Sequence, residues 1–598
     1  MHKITLHPLK LERSQSGQLS DPAATRNSAA GTGEGANAEE IQHVAKGPIL
    51  MSSEAVEDTV KQNIQAQQGE DEARHLLKRT PGSYLINQAY GLWFLVSLFL
   101  LTIILTRKVS TDQYGVYAIT QTAYNTILYI VAFGMEDATT TYVPRIFAEH
   151  GQASAAALVR RLLLWRVLTL AAVTGILLFG MPVVATLIAA IPISGSVGIA
   201  AGLRDPELLS HITPVAIYIL GSSIGSLLTA VCAALMRMRI VFVVSGLTQV
   251  AVLGISFVVL QLGWGINSVL WTLALCSVLN AVAFIIWQAP FIFARGATYR
   301  QPLLPLIKLG LSAWQTNLIQ GALLKQVSVI LLGVFALSTL QGRINTGYFN
   351  LSFQLADGAN LLLVAGFGGV GGAALAAAFV GQNFERLSRS WQALIKIETL
   401  LAAPGLIFCL FNSSNIVHAL YGSKYDTVGP LFAIFLLFNV FVRVLGSTVH
   451  QYALYVTGKA RLVVFSQWVG LIGVIATGVL LIPGYGAAGA LMADGISRLL
   501  SGGLMLVFLW NALPHKYPLG FSLRFLLALT IAVLPSLLWH PTSRVLLIVS
   551  GVLFLVLCAA LLLLIKPLTD EDITLLGEQN PRVARYLKPF ARRTRSSS

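Results

Sequence analysis

Three cations stand where a chain this apolar should carry none. Lys325, Arg443 and Arg498 each fall near the midpoint of a long apolar run. A charge at the centre of a bilayer costs roughly 2.5–3.5 kcal/mol on insertion scales, so such a group faces protein or a wet cavity, not lipid. A cation fixed in that setting can hold an anion, and Arg suits phosphate through its planar donor fork. Three carboxylates, Asp357, Glu398 and Asp494, also lie in apolar segments, all in the second half of the chain. They can couple to protons or sodium, or serve as counter-ions to the cations. Asp494 and Arg498 are four apart and would meet on one helix face. Lys325 and Asp357 are a second candidate pair, and Glu398, beside Lys396, reads as near a membrane face. Arg145, Arg160 and Arg161 cluster between apolar runs, where they would meet an anion at an entrance or simply satisfy a charge bias.

No other chemistry is indicated. The cysteines, Cys232, Cys276, Cys409 and Cys558, each sit in an apolar run with no Cys or His partner nearby, so neither a disulfide framework nor a metal site is expected. The Gly-rich stretch 366–379 has no Lys-Ser/Thr after it and reads as close helix packing, not a phosphate loop. No catalytic residues and no organic cofactor are expected.

These side chains need membrane-spanning helices to place them. The chain is 55% hydrophobic and only 11% charged, far outside the soluble range. The expected class is all-α and polytopic, with about fourteen transmembrane helices. Twelve lie near 84–106, 114–135, 162–190, 213–236, 240–261, 264–288, 308–335, 346–372, 391–412, 428–455, 461–482 and 485–510. Two more lie near 521–539 and 543–565. A cytoplasmic N-terminus puts 16 Lys/Arg on inner loops and helix ends, Arg166 among them, and 6 on the outer side. That bias predicts both termini inside. Most of the net charge of +15 sits in residues 81–565, which carry 25 Lys/Arg against 11 Asp/Glu, so it marks topology and not nucleic-acid binding.

A weak repeat divides the chain. GVYAITQTAYNTILYIVAFG from Gly115 and GYFNLSFQLADGANLLLVAGFG from Gly347 each follow a first-of-bundle helix. Two six-helix lobes around a polar interior follow, with the last two helices as an addition. The expected organisation is a disordered cytoplasmic tail (1–82), a first lobe (83–290), a second lobe (291–512), the added helices (513–566) and a basic amphipathic cytoplasmic tail (567–598). In that last tail Val583, Tyr586, Leu587 and Phe590 follow helical spacing and would lie on anionic lipid.

Three stretches carry a family resemblance: STDQYGVYAITQTAYNTILYIVAFGMEDATTTYVPRIFAEHG (110–151), LYGSKYDTVGPLFAIFL (420–436) and GVLLIPGYGAAGALMADGIS (478–497). In that order they resemble the O-antigen and exopolysaccharide flippases of the multidrug/oligosaccharidyl-lipid/polysaccharide exporter superfamily. In the first stretch a helix is followed by a cytoplasmic turn bearing Arg145. The resemblance implies two lobes facing a central cavity in the cytoplasmic (inner) membrane. It implies alternating access for a polyprenyl-diphosphate-linked oligosaccharide, with cavity cations meeting the diphosphate. It also implies a monomer, with membrane lipids, a polysaccharide polymerase and export machinery as partners. The long N-terminal tail departs from the family pattern. The competing readings are a multidrug or small-solute antiporter of the same superfamily, a peptidoglycan-precursor flippase, and a membrane-integral polymerase or ligase, for which no loop is long enough.

Overall fold

The computed structural model describes residues 86–190, 204, 209–296, 302–336, 340–364, 367–379, 382–538, 543–570, 573–574, 585 and 588–592. The tail expected over 1–82 lies outside them. The first lobe holds α1 (Ile86–Lys108), α2 (Thr111–Ala132), α3 (Met135–Gly175), α4 (Met181–Ala189), α5 (Ile212–Ala234), α6 (Met238–Gln261) and α7 (Gly265–Ile292). The second holds α8 (Leu303–Asn317), α9 (Leu324–Ala336), α10 (Leu340–Val364), α11 (Phe367–Ala378), α12 (Phe384–Phe411), α13 (Ser413–Tyr421), α14 (Val428–Leu445), α15 (Ser447–Val456) and α16 (Ala460–Trp510). The added pair is α17 (Leu519–Leu538) and α18 (Arg544–Ile565).

Among the described residues, nine helices are long and apolar enough to cross a membrane. One of them, α16, is two spans. At Gly486 the backbone turns to φ 54° and ψ −125°, a conformation that strongly favours glycine. The chain then doubles back: Ser497 Oγ donates to the Gly470 carbonyl at 2.6 Å, and a Cβ on Gly489 would lie 2.4 Å from the Leu481 oxygen. This is the hairpin expected from the spans 461–482 and 485–510. Other long helices are broken where the lobe interior needs a bend. A π turn (Leu318–Leu323) separates α8 from α9, and Gly446, at φ 77°, separates α14 from α15.

Among the described residues, the first lobe differs from expectation after α2. Residues 135–150 are helical, not a turn. The chain bends earlier, where Phe133 and Gly134 both adopt left-handed backbone (φ 45° and 65°), and again at Gly151 (φ 75°, ψ 177°). The cause is local. A Cβ on Gly134 would lie 1.9 Å from the Gly310 carbonyl oxygen, so α8 packs against the bend itself. Upstream, Ser110 starts α2 with a capping box: its Oγ accepts from the Gln113 N–H, and the Gln113 side chain accepts from the Ser110 N–H.

Among the described residues, the lobes meet at two seams. At the end carrying Arg107, Arg343 and Lys424, α2 crosses α10. A Cβ on Gly115 would fall 2.1 Å from the Arg343 oxygen. Arg107 donates to the carbonyls of Leu420 (3.0 Å) and Ala419 (3.2 Å), and Lys424 donates to that of Val109. Deeper in, Gln354 donates to Gln121 at 2.9 Å. Between these contacts Tyr114, Tyr421 and Tyr425 are buried. At the second seam Trp314 stacks on Phe133 (5.4 Å between ring centroids) and donates to the Tyr129 carbonyl, while Asn317 donates to Asp137 at 2.8 Å.

The basic C-terminal tail also differs in part. Lys588–Phe590 form a 3-10 turn, and Ala591–Arg592 pair in parallel with Leu568–Thr569. Phe590 packs on the protein core, so this part of the tail docks on the protein itself. Val583, Tyr586 and Leu587 lie outside the described residues. In the Gly-rich stretch Phe367–Ala378 is a helix, and Gly372 lets the Tyr452 ring approach to 3.1 Å of where a Cβ would stand.

Candidate functional site

A polar cavity of about 250 Å³ opens among α9, α10, α14, α15 and the two arms of α16. Arg443 and Arg498 both line it, with Asn360, Thr448, Gln467 and Asp494. Its walls are all residues of the second lobe. Small residues allow the helices to close around it: a Cβ on Gly495 would fall 2.2 Å from the Phe438 ring, and one on Gly502 would fall 2.0 Å from Ser447 Oγ.

Arg443 stands on the last turn of α14, beside the Gly446 break that points it inward. Its Nε donates to Asn360 Oδ1 at 2.7 Å. Its Nη1 donates to Thr448 Oγ1 at 2.9 Å and, very closely, to Glu398 Oε1. Among the described residues Nη2 has no hydrogen-bond partner. The Arg443 side chain keeps 15% of its exposure, while Glu398 behind it has none.

Arg498 is held on several sides. Nε meets Asp494 Oδ2 at 2.8 Å and Nη1 meets Asp357 Oδ1 at 3.1 Å. Its guanidinium lies over the rings of Phe353 and Phe435, 5.3 and 5.0 Å from their centroids. Two cations thus face three carboxylates. A charge pair placed this deep is stable only if its remaining donors and acceptors are met; Asn360 and Thr448 meet Nε and Nη1 of Arg443, and Nη2 is left to the cavity.

The first lobe holds a pair of its own. Arg166, on α3, is fully buried. It donates to Glu136 Oε1 at 2.5 Å, to the Val131 carbonyl at 3.0 Å and to Ser223 Oγ at 3.1 Å. Ser226 adds a bond to the same Glu136 oxygen at 2.8 Å. This pair ties the bend after α2 to α3 and α5.

Residues 167–430 match the family model for "Polysaccharide biosynthesis protein". The lipid II flippase MurJ, in an inward closed conformation, superposes with a TM-score of 0.58 at 13% identity, over 80% of this chain and 98% of that one. A multidrug resistance MATE family transporter, in an inward-facing conformation, superposes at 0.55 and 13% identity, over 71% and 94%. At such identities these likenesses show a shared fold. No curated protein matches by sequence. Over residues 167–430, under half of the chain, the sequence is similar to a polysaccharide biosynthesis family. The resemblance drawn from the three sequence stretches holds, and the folds it matches are those of membrane transporters.

In this fold the expected site residues separate into groups. Arg443, Arg498 and Asp494 come together on one cavity, with Glu398 and Asp357 as direct partners of the two guanidiniums. Glu398, expected near a membrane face, has a wholly buried side chain. Asp357 pairs with Arg498 on α16; the expected pairing with Lys325 falls outside the described residues. Lys325 lies on α9, and its side chain is outside the described residues. Arg145, Arg160 and Arg161 do not join the cavity. Arg145 pairs with Glu149 on its own helix at 2.9 Å. Arg160 caps the end of α7 by donating to the carbonyls of Ile292 (2.8 Å) and Ala294 (3.3 Å).

Two corrections follow from Arg166. It is not a loop-side topology charge, and buried charge is not confined to the second half of the chain. It stood just inside an apolar run, with Glu136 thirty residues upstream. Only the helical bend at 133–134 brings the two together.

Proposed function

We propose that this protein carries a polyprenyl-diphosphate-linked oligosaccharide repeat unit across the cytoplasmic membrane, from the inner to the outer leaflet, for polysaccharide biosynthesis. The observation that carries the reading is Arg443. In a chain similar to a polysaccharide biosynthesis family, it presents a guanidinium with an unengaged Nη2 to a polar cavity inside a transporter fold. A diphosphate oxygen is the natural acceptor for that donor. Arg498 stands on the same wall as a second cation, and Lys325 is assigned to the same path. The charge bias of the loops supports a cytoplasmic location for both termini. The seam at Arg107, Arg343 and Lys424 is then the outer gate, closed here. The protein works as a monomer, drawing on a proton or sodium gradient, beside a polysaccharide polymerase and export machinery.

The three carboxylates around two guanidiniums favour one second reading, a small-solute antiporter that takes cations. One experiment separates the two. Lipids are extracted from cells depleted of the protein, and a membrane-impermeant probe reports the leaflet of any polyprenyl-diphosphate oligosaccharide. Accumulation of the complete unit on the cytoplasmic side supports the flippase, and its mass identifies the glycan. Accumulation on the outer side points to a polymerase or ligase step. No accumulation, with new sensitivity to cationic drugs, supports the antiporter.

A further inference from the structure

Glu398 has an unusual setting for an ionised group. Its side chain is wholly buried, and it is not part of the cavity wall. One oxygen, Oε1, accepts from Arg443. The other, Oε2, is buried and has no hydrogen-bond partner among the described residues. The carboxylate is therefore held in its charged form chiefly by the guanidinium in front of it. That guanidinium faces the cavity, and Nη2 is open to a ligand there.

We propose that Glu398 is a proton-binding site linked to anion binding at Arg443. This rests on the reading of the cavity as an anion site. When a phosphate-type anion docks on Arg443 from the cavity, the single positive charge is shared between two anions. The buried carboxylate loses its compensation, and a buried charge without a partner is neutralised instead of tolerated. Glu398 takes one proton from solvent onto Oε2, the oxygen with no donor, and releases it when the anion leaves. The coupling is reciprocal: proton and anion each favour the other's binding. The load entering the protein is then an anion with a proton, and the proton lowers the net negative charge that the loaded site carries.

Other groups near α12 do not take this part. Asp357, on α10, is held by Arg498 and keeps part of its exposure. Asp494, on α16, accepts from Arg498, which does not touch Glu398. His450, on α15, accepts at Nδ1 from Trp391 Nε1 at 3.1 Å and so has no proton on that nitrogen. Tyr452, also on α15, lies within electrostatic reach of Glu398 but carries no charge near neutrality. Lys396, on the same helix as Glu398, is two residues away and so points to another side. Arg524, on α17, is exposed.

The test uses the purified full chain and inorganic pyrophosphate as the probe. Titration calorimetry at neutral pH, in two buffers of different ionisation heat, counts protons taken up per anion bound. Pyrophosphate exchanges protons of its own, so the readout is the difference between wild type and Glu398→Gln. The expected difference approaches one proton per anion, with binding retained in the variant. Glu398→Asp keeps a carboxylate and should restore the uptake. Should Glu398→Gln fail to fold, infrared difference spectra of wild type serve instead: a protonated carboxyl band should appear on adding pyrophosphate. Binding with equal proton counts, or with no such band, overturns the linkage and leaves the anion site standing. No binding of pyrophosphate to wild type overturns the anion site and the linkage with it.

Discussion

Gly347 comes so close to Gly115 that a Cβ built on it would lie 3.2 Å from the Gly115 Cα. The two glycines are 232 positions apart and open the two copies of the repeat. The repeat therefore has a physical meaning: each copy supplies the small residue that lets α2 and α10 cross backbone to backbone. Gly115→Val should push the crossing open, because even its Cβ would meet the Arg343 carbonyl oxygen at 2.1 Å. The expected cost is about 1–3 kcal/mol of overpacking, read as a lower thermal midpoint in detergent. Gly358→Ala, on the same helix as Gly347 but with nothing within 4 Å, should leave the midpoint unchanged. Equal midpoints for the two variants would show that the crossing yields freely.

The offset of 232 returns at Arg166 and Glu398, which stand at matching places in the two lobes. Both are wholly buried, and they have opposite signs. In the first lobe the buried guanidinium holds a partly exposed carboxylate, Glu136. In the second the buried carboxylate holds a partly exposed guanidinium, Arg443. Arg166→Ala should destabilise the protein by about 3 kcal/mol, the lower end for breaking a buried pair, because Glu136 keeps some contact with solvent. Arg166→Lys should recover little of this. One ammonium lacks the fork that serves Glu136, Ser223 and the Val131 carbonyl together. Denaturation of a double-mutant cycle with Glu136→Gln measures the coupling, and a coupling near zero would refute the pair's role.

The sequence announces some of this and conceals the rest, for a physical reason. Span positions, the α16 hairpin at Gly486 and the repeat glycines are readable because length, apolarity and backbone freedom are local properties. Which charge meets which is not. Glu398 and Arg443 are 45 residues apart, and Asp357 and Arg498 are 141 apart. Helical periodicity assigns a face only when one side is polar. A helix apolar all round, such as α7, gives no such direction. Arg166 shows the result most plainly: a cation near the end of an apolar run reads as a topology charge until the bend at Phe133 and Gly134 delivers Glu136 to it. The helix over 135–150 was hidden likewise, since a run of mixed polarity between apolar segments looks like a loop.

Lys424 offers a pH-dependent handle on the seam with Arg107. Desolvation holds its ammonium below the ordinary lysine range. The folded chain thus binds that proton less tightly than the unfolded one does. Stability from this residue should rise as pH climbs from the lowered value toward about 10.4, the ordinary lysine value. Lys424→Arg keeps its charge throughout and should flatten the rise. Thermal midpoints of the two proteins across alkaline pH check this, and parallel curves would remove Lys424 from the effect.

Arg443 and Glu398 allow transport and stability to be separated. Arg443→Ala should insert into the membrane normally and abolish export. It should also lower stability by about 3–5 kcal/mol, because it leaves the buried Glu398 without its partner, to be held charged or to take up a proton at a cost. Adding Glu398→Gln removes that stranded carboxyl, so the double variant should regain much of the lost stability. Export should not return, since the donor facing the cavity is still missing. Export measured in cells beside thermal unfolding of the purified variants gives both readings. If export recovers along with stability, Arg443 is only a counter-ion. If Arg443→Ala exports fully, it has no part in the site. Loss of export that persists in a stable double variant leaves the guanidinium as the group that acts on the substrate.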